Sequence, residues 1–185
     1  MARVVRISTF LGVLLIPAWH AVAQGRDQLI TGRSIAGITM CDPLSRVDSA
    51  FGRVRDSVIV GEDGETGWHS KVVVLAPGEW ILFESSWVDS LRVWRASTNS
   101  PRFRTRRQLR VGRSIGDVLA TRDSLEFQYP EGYLIITLLP EDISFQVDDS
   151  SATAFWRRFQ YQGNPLDALS RTSQIKQFTI GGDCR

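Results

Sequence analysis

Three short apolar runs constrain this chain more than any other feature: Val72-Val73-Val74-Leu75, Trp80-Ile81-Leu82-Phe83 and Tyr133-Leu134-Ile135-Ile136. Each is rich in β-branched or aromatic residues and shorter than an ordinary helix, and turn signals such as Pro77-Gly78 punctuate the stretches that carry them, so all three read as strands. Their apolar residues are continuous rather than alternating, which predicts strands that keep both faces away from water. The strands that carry them are expected at residues 71–76, 79–84 and 133–139. Further strands are expected at 57–60, 91–96, 125–129, 143–147 and 174–180, with Glu62-Asp63-Gly64-Glu65 as a turn. With 185 residues, 43% of them apolar and 23% charged, the chain can bury a core and is unlike a disordered, collagen-like or coiled-coil sequence.

Residues 1–23 are set apart from the fold. Arg3 and Arg6 form a basic start, residues 10–18 are apolar, and Ala21-Val22-Ala23 has the small-residue pattern of a signal-peptidase site, which predicts a signal peptide and a mature chain beginning at Gln24. That apolar stretch is too short for a hydrocarbon core, which takes about 20 residues. No later uncharged run is longer, so the expectation is a soluble periplasmic or secreted protein without a transmembrane segment. No cysteine stands at the cut site to carry a lipid. Loss of Arg3 and Arg6 leaves 20 basic and 20 acidic side chains, a formally neutral mature chain. In an oxidising compartment Cys41 and Cys184 read as one disulfide that ties the two ends together. In the chain-entropy model so long a loop contributes about 5 kcal/mol. A shared metal is the weaker alternative, because His69 is the only other soft ligand of the mature chain and a closed zinc site takes four.

The mature sequence reads as one unit used twice. Residues 38–47 can be laid over residues 109–118 at an offset of 71, and in both copies a short apolar stretch leads to a helix start. Asp42 is placed as an N-cap with Pro43 at the first helical position; Leu44, Val47 and Phe51 recur at helical spacing and Gly52 ends the helix. Downstream, Ser114 is the equivalent cap, followed by Ile115, Val118 and Leu119. A rival offset of 80 matches Gly32-Arg33-Ser34-Ile35 to Gly112-Arg113-Ser114-Ile115 but does not superpose the helix faces. The fold class this predicts is α+β: a tandem repeat of one helix followed by a four-stranded antiparallel sheet. The first repeat would span 24–100 and the second 101–185, with a linker at 97–107 and short extra helices near the C-terminus, at 152–159 and after Asn164-Pro165.

A helix with an apolar approach and a glycine exit, followed by an antiparallel sheet and then repeated, resembles the tandem units of the secreted beta-lactamase inhibitor proteins. The single unit also resembles the small lipoprotein of the outer-membrane barrel-assembly machinery. Residues 42–52 and 113–121 carry the match directly, and the rest matches by element order. The resemblance implies a layered helix-on-sheet fold and a binding rather than a catalytic role. The chain departs from these proteins in its single end-to-end cysteine pair and in lacking a lipoprotein cysteine.

For chemistry, Gly112-Arg113-Ser114-Ile115-Gly116 matches the G-x-S-x-G nucleophile elbow, which makes Ser114 the candidate nucleophile of a small exported serine hydrolase. His69 precedes it rather than follows it, and a helix cap beside two glycines accounts for the same residues. No phosphate-binding loop, dinucleotide fingerprint, metalloprotease motif or EF-hand loop is present, so neither cofactor nor metal is expected. The acidic pairs Glu141 with Asp142 and Asp148 with Asp149 fall at turns. Arg92, Arg95, Arg102, Arg104, Arg106, Arg107, Arg110 and Arg113 put eight positive charges into 22 residues with no acid among them. An exported chain rarely meets nucleic acid. The stretch therefore reads as paired with acids of the other half or, alternatively, as a binder of an anionic envelope surface. Trp68, Trp80, Trp87 and Trp94 all lie in the first half, and on the strand expected at 91–96 Arg92 and Trp94 share the face opposite Leu91 and Val93. The main functional expectation is a non-catalytic exported module that binds an unidentified protein partner through the first-half sheet, with Trp80, Trp87, Arg92 and Trp94 as anchors.

Overall fold

The computed structural model describes residues 28–60, 67–121, 123–130, 133–148, 156 and 168–184. The expected signal peptide, the turn at 62–65 and, Trp156 and Ala168 aside, the extra C-terminal helices lie outside these residues. Elements follow in the order β1 (Ser34–Ile35), β2 (Ile38–Thr39), α1 (Arg46–Phe51), β3 (Arg55–Val60), β4 (Gly67–Ala76), β5 (Glu79–Glu84) and β6 (Arg95–Thr98). The chain continues through α2 (Ile115–Ala120), β7 (Leu125–Gln128), β8 (Ile135–Leu138), β9 (Ile143–Val147) and β10 (Ile175–Gly181). β1 and β2 form a small hairpin, and the other eight strands form one antiparallel sheet in the order β3-β4-β5-β6-β10-β9-β8-β7. Between β4 and β5 the chain reverses at Pro77-Gly78: proline presets the first turn residue, and Gly78 takes the positive φ of 79° that the second requires.

This corrects the expected α+β tandem of helix-on-sheet units. Among the described residues the fold is mostly β, with one continuous eight-stranded sheet beside the small hairpin, and α1 and α2 have six residues each, fewer than two turns and too short to form a layer. What joins the sheet is a pairing remote in sequence: Thr98 lies opposite Phe178 and Ala96 opposite Ile180. A separate first unit would leave the outer edge of β6 as a row of unpaired N–H and C=O groups; β10 satisfies them. Residues 97–107, expected as a linker, begin inside β6, and Phe103 and Thr105 are buried.

The helix ends follow sequence only in part. Asp42 is not the cap of α1. Ser45 holds that position without a side-chain bond, while the Asp42 carboxylate accepts from the Thr39 N–H at 2.8 Å and from Arg46 at 2.9 Å. Gly52 does end α1, at φ 63°, with its N–H on the Asp48 carbonyl. Ser114 caps α2 in a reciprocal box: its hydroxyl accepts from the Asp117 N–H, and the Asp117 carboxylate accepts from the Ser114 N–H.

Alternate residues of the strands build the core. Val73, Ile81, Phe83, Ala96, Phe178 and Phe145 point to one face of the sheet. That face is buried with Ile30, Ile35, Ile38, Met40 and Val47 of the N-terminal segment and with Leu109, Ile115 and Val118. The Cys41–Cys184 disulfide, with Cα atoms 5.4 Å apart, fastens this N-terminal cover to the chain just beyond β10. The opposite face is open, so the expectation of strands buried on both sides is corrected as well: Val74 is 59% exposed, Tyr133 is exposed, and Trp80, Leu82 and Ile135 are half-buried.

Candidate functional site

Two surfaces stand out, one on a loop and one on the sheet. The first is the connection from β5 to β6, residues 85–94. Its second half was expected to open a strand, but β6 begins only at Arg95. Residues 91–93 instead bond to the N-terminal segment: Leu44 N–H to Leu91 O at 2.7 Å, Val93 N–H to Asp42 O at 2.9 Å and Cys41 N–H to Val93 O at 2.7 Å. The disulfide sits directly beneath, with the Cys184 sulfur 3.6 Å from the Val93 carbonyl. Val93 is thereby buried, while Trp87, Val88 and Leu91 project at 72%, 75% and 75% exposure. Leu91 and Val93 do not share a buried face as the strand pattern implied. The turn itself is fixed by the Ser86 hydroxyl and the Asp89 carboxylate, which accept from the Asp89 and Leu91 N–H groups.

Of the four expected anchors, Trp87, Arg92 and Trp94 belong to this connection and Trp80 does not. Arg92 donates to the Cys41 carbonyl at 3.2 Å and lies 3.6 Å from Asp89. Trp94 lies under the guanidinium of Arg95, 5.5 Å from carbon to ring centre, in a cation–π contact. Trp80 faces the open side of the sheet opposite Val74, at the other end of β5.

The second surface is that open side. Residues paired directly across antiparallel strands share a face, so the register writes out its composition row by row. Leu82, Ser97, Thr179, Ser144, Thr137 and Glu126 form one transverse row, and Gln177, Gln146, Ile135 and Gln128 form the next. Hydroxyl pairs bridge the strands, Ser97 to Thr179 at 2.9 Å and Thr137 to Ser144 at 2.9 Å. Ile59 of β3 and Gln128 of β7, from the two outermost strands, line one cleft of about 470 Å³ with Ser97 and Thr179. The twisted sheet therefore curls around its own middle, and Ser97 is 3% exposed although it points away from the apolar core.

At one end of the cleft a charged pair is locked in place. Arg95 grips the buried Glu84 carboxylate with two bonds of 2.7 Å, and Trp68 donates its indole N–H to the same carboxylate at 3.0 Å. The hydrogen bonds that Arg95 donates to Glu84 outweigh the opposing effect of burial and raise the Arg95 pKa above the ordinary arginine value. Toward the other end, Gln146 and Gln177 also line a neighbouring space of about 320 Å³, together with Trp80, Asn99, Tyr133 and Lys176.

The remaining candidates sit elsewhere. The Ser114 hydroxyl lies 3.0 Å from the Asp117 carboxylate it caps with, whereas His69 is on β4 in a depression with Asp48, Asp56 and Lys71. In the basic stretch, Arg102 pairs with Glu79, Arg107 with Asp123 and Glu141, and Arg113 with Asp117, while Arg104, Arg106 and Arg110 are exposed. Among the described residues no group of three His, Cys, Asp or Glu side chains is placed to hold a metal, and no helix is long and apolar enough to cross a membrane. Sequence reading missed the cleft residues Glu84, Arg95, Ser97, Gln146, Gln177 and Thr179. The available signal was the polar alternation Ser144/Gln146 and Gln177/Thr179 inside otherwise apolar strands.

No family model matches the chain, and no curated protein does. Among solved structures it is similar to the uncharacterized protein YfeY from Escherichia coli, with a TM-score of 0.58 and 10% sequence identity over 83% of this chain and 99% of that one. At that identity the likeness concerns the fold alone. YfeY is neither a beta-lactamase inhibitor protein nor the barrel-assembly lipoprotein, so the resemblance read from residues 42–52 and 113–121 gains nothing from it.

Proposed function

We propose that this is an exported, non-catalytic binding protein that engages a protein partner through residues 85–94, with Trp87 as the main anchor and Leu91, Arg92 and Trp94 around it. Export is supported by the Cys41–Cys184 disulfide and by the signal-like pattern of residues 1–23. The observation that carries the binding reading is the side-by-side exposure of Trp87, Val88 and Leu91 on a rigid support. Burying one such side chain contributes about 1.5–3 kcal/mol. A backbone already fixed to residues 41–44 loses little further freedom on binding, so more of that contribution survives as affinity. The Ser114 hydroxyl is occupied in the capping box of α2, which favours this reading over the hydrolase.

A photo-crosslinking residue placed at position 87 in the exported chain should capture one specific partner in the native host. With that partner purified, Trp87→Ala should weaken binding about thirtyfold, or about 2 kcal/mol. Equal affinity of wild type and Trp87→Ala would overturn the assignment.

A further inference from the structure

The cleft on the open side of the sheet is a separate surface with different chemistry, and its lining points to a ligand class. Its one buried carboxylate, Glu84, is neutralised by Arg95 within the cleft wall, so the larger space carries no net charge, and Lys176 at the far end is the one further charged group of the lining. What the floor does offer are groups that both donate and accept. Ser97, Thr179 and Ser144 carry hydroxyls, and Gln146 and Gln177 carry amides. Gln146 and Gln177 line both neighbouring spaces. Apolar side chains, Ile59, Leu82 and Ile135, alternate with these polar groups, and aromatic rings, Trp80 and Tyr133, stand at the far end.

We propose that this cleft binds an uncharged, polyhydroxylated chain, a neutral glycan several sugars long. A pyranose ring carries hydroxyls that donate and accept at its rim and apolar C–H faces above and below. The cleft presents the matching set: paired hydroxyls and amides for the rim, aliphatic and aromatic surface for the faces. Arg95 uses only Nε and Nη2 on Glu84, which leaves Nη1 to donate to a hydroxyl of the ligand at that end. From the Glu84–Arg95 pair to Trp80 the two spaces extend along β5, about 13 Å at the strand rise, so they fit an elongated ligand better than a single small molecule. A protein surface fits poorly, because Ser97 lies too deep for a flat partner to reach.

The test titrates the full exported chain with uncharged hexasaccharides built from glucose, mannose, xylose or N-acetylglucosamine, beside hexasaccharides of uronic acid and an uncharged polar peptide. At least one uncharged hexasaccharide should bind, with affinity changing less than about twofold between low and high salt. Gln146→Ala and Gln177→Ala should each weaken that binding about five- to tenfold. In isotope-labelled wild type, the backbone signals that move should be those of Ser97, Gln146, Gln177 and Thr179, a readout that needs no variant to fold. Binding of only the uronic-acid chains or the peptide, or of none, would overturn the proposal, as would signal changes confined to residues 85–94. Partner capture at position 87 is independent of either result.

Discussion

Val73 and Val74 are neighbours on β4, yet one is 3% exposed and the other 59%. They sample the two faces of a sheet whose strands are shared by both. Val73 looks into the face covered by Ile35, Ile38, Met40 and Val47 and tied down by the disulfide. Val74 looks onto the face with Trp80 and the row of hydroxyls and amides. The covered face is held by burial of apolar area, which tolerates no gap, whereas the open face is held by cross-strand hydrogen bonds and one ion pair. Stability and recognition are thus assigned to alternate residues of the same strands.

Four perturbations would break or sharpen that contrast. The largest concerns the fastening of the cover: reduction of Cys41–Cys184, or Cys41→Ser with Cys184→Ser, should lower unfolding free energy by up to about 5 kcal/mol, read as a shift of the denaturant midpoint with and without reductant. A midpoint that does not move would mean that the cover is held by packing alone. Next, Phe83→Ala in the covered face should cost about 4 kcal/mol, while Gln146→Ala on the open face should stay within about 0.5 kcal/mol. Comparable losses in urea melts would erase the distinction between the faces. Third, Arg95→Ala leaves the Glu84 carboxylate buried beside Trp68 without its partner and should cost about 3 kcal/mol. Combining it with Glu84→Gln should restore most of the loss, and a double variant no better than the single one would show that the pair matters only by filling space.

The smallest effect is at the margin of the covered face. Lys71 reaches Asp48 of α1 at 2.9 Å and Asp56 of β3, fastening the helix to the sheet edge. Burial pushes the Lys71 ammonium down, but the hydrogen bonds to Asp56 and Asp48 outweigh it and hold its pKa above 10.5. A folded-state pKa raised above the unfolded value stabilises the fold below the unfolded value, and that contribution fades as pH rises through the folded one. Lys71→Met should therefore cost about 1 kcal/mol or less at neutral pH, and the gap between the two proteins should close in melts run above pH 10.5.

Local features of this fold were legible where short-range physics decides them. The expected strand at 143–147 coincides with β9 and that at 79–84 with β5, because the apolar period and the flanking turns act within a few residues. Gly52 and Ser114 were placed correctly as helix ends, and the Cys41–Cys184 bond is the pairing expected of the chain's two cysteines. What could not be read is how strand edges combine. The bonds between Ala96 and Ile180 leave no mark in either segment, and without them two separate sheets looked reasonable. Residues 91–93 misled for a related reason: their strand-like pattern is used to bond with residues 41–44, outside the main sheet. At the candidate sites, Trp87 lies on a loop and is exposed, whereas the cleft depends on curvature that brings β3 and β7 toward one space. Curvature has no sequence period.

The position of β10 has a consequence for the order of assembly. Among the described strands it comes last in the chain, yet it lies in the middle of the sheet, between β6 and β9. A chain emerging N-terminus first can pair β3 to β6 with one another, and later β7 to β9, but these remain two sheets with unprotected inner edges until residues 175–181 arrive. Closing that gap brings together segments more than eighty positions apart, a non-local step that slows folding. Only then does Cys184 come within reach of Cys41. For the export proposed above, this order means that the step completing the sheet and permitting the cross-link waits for β10.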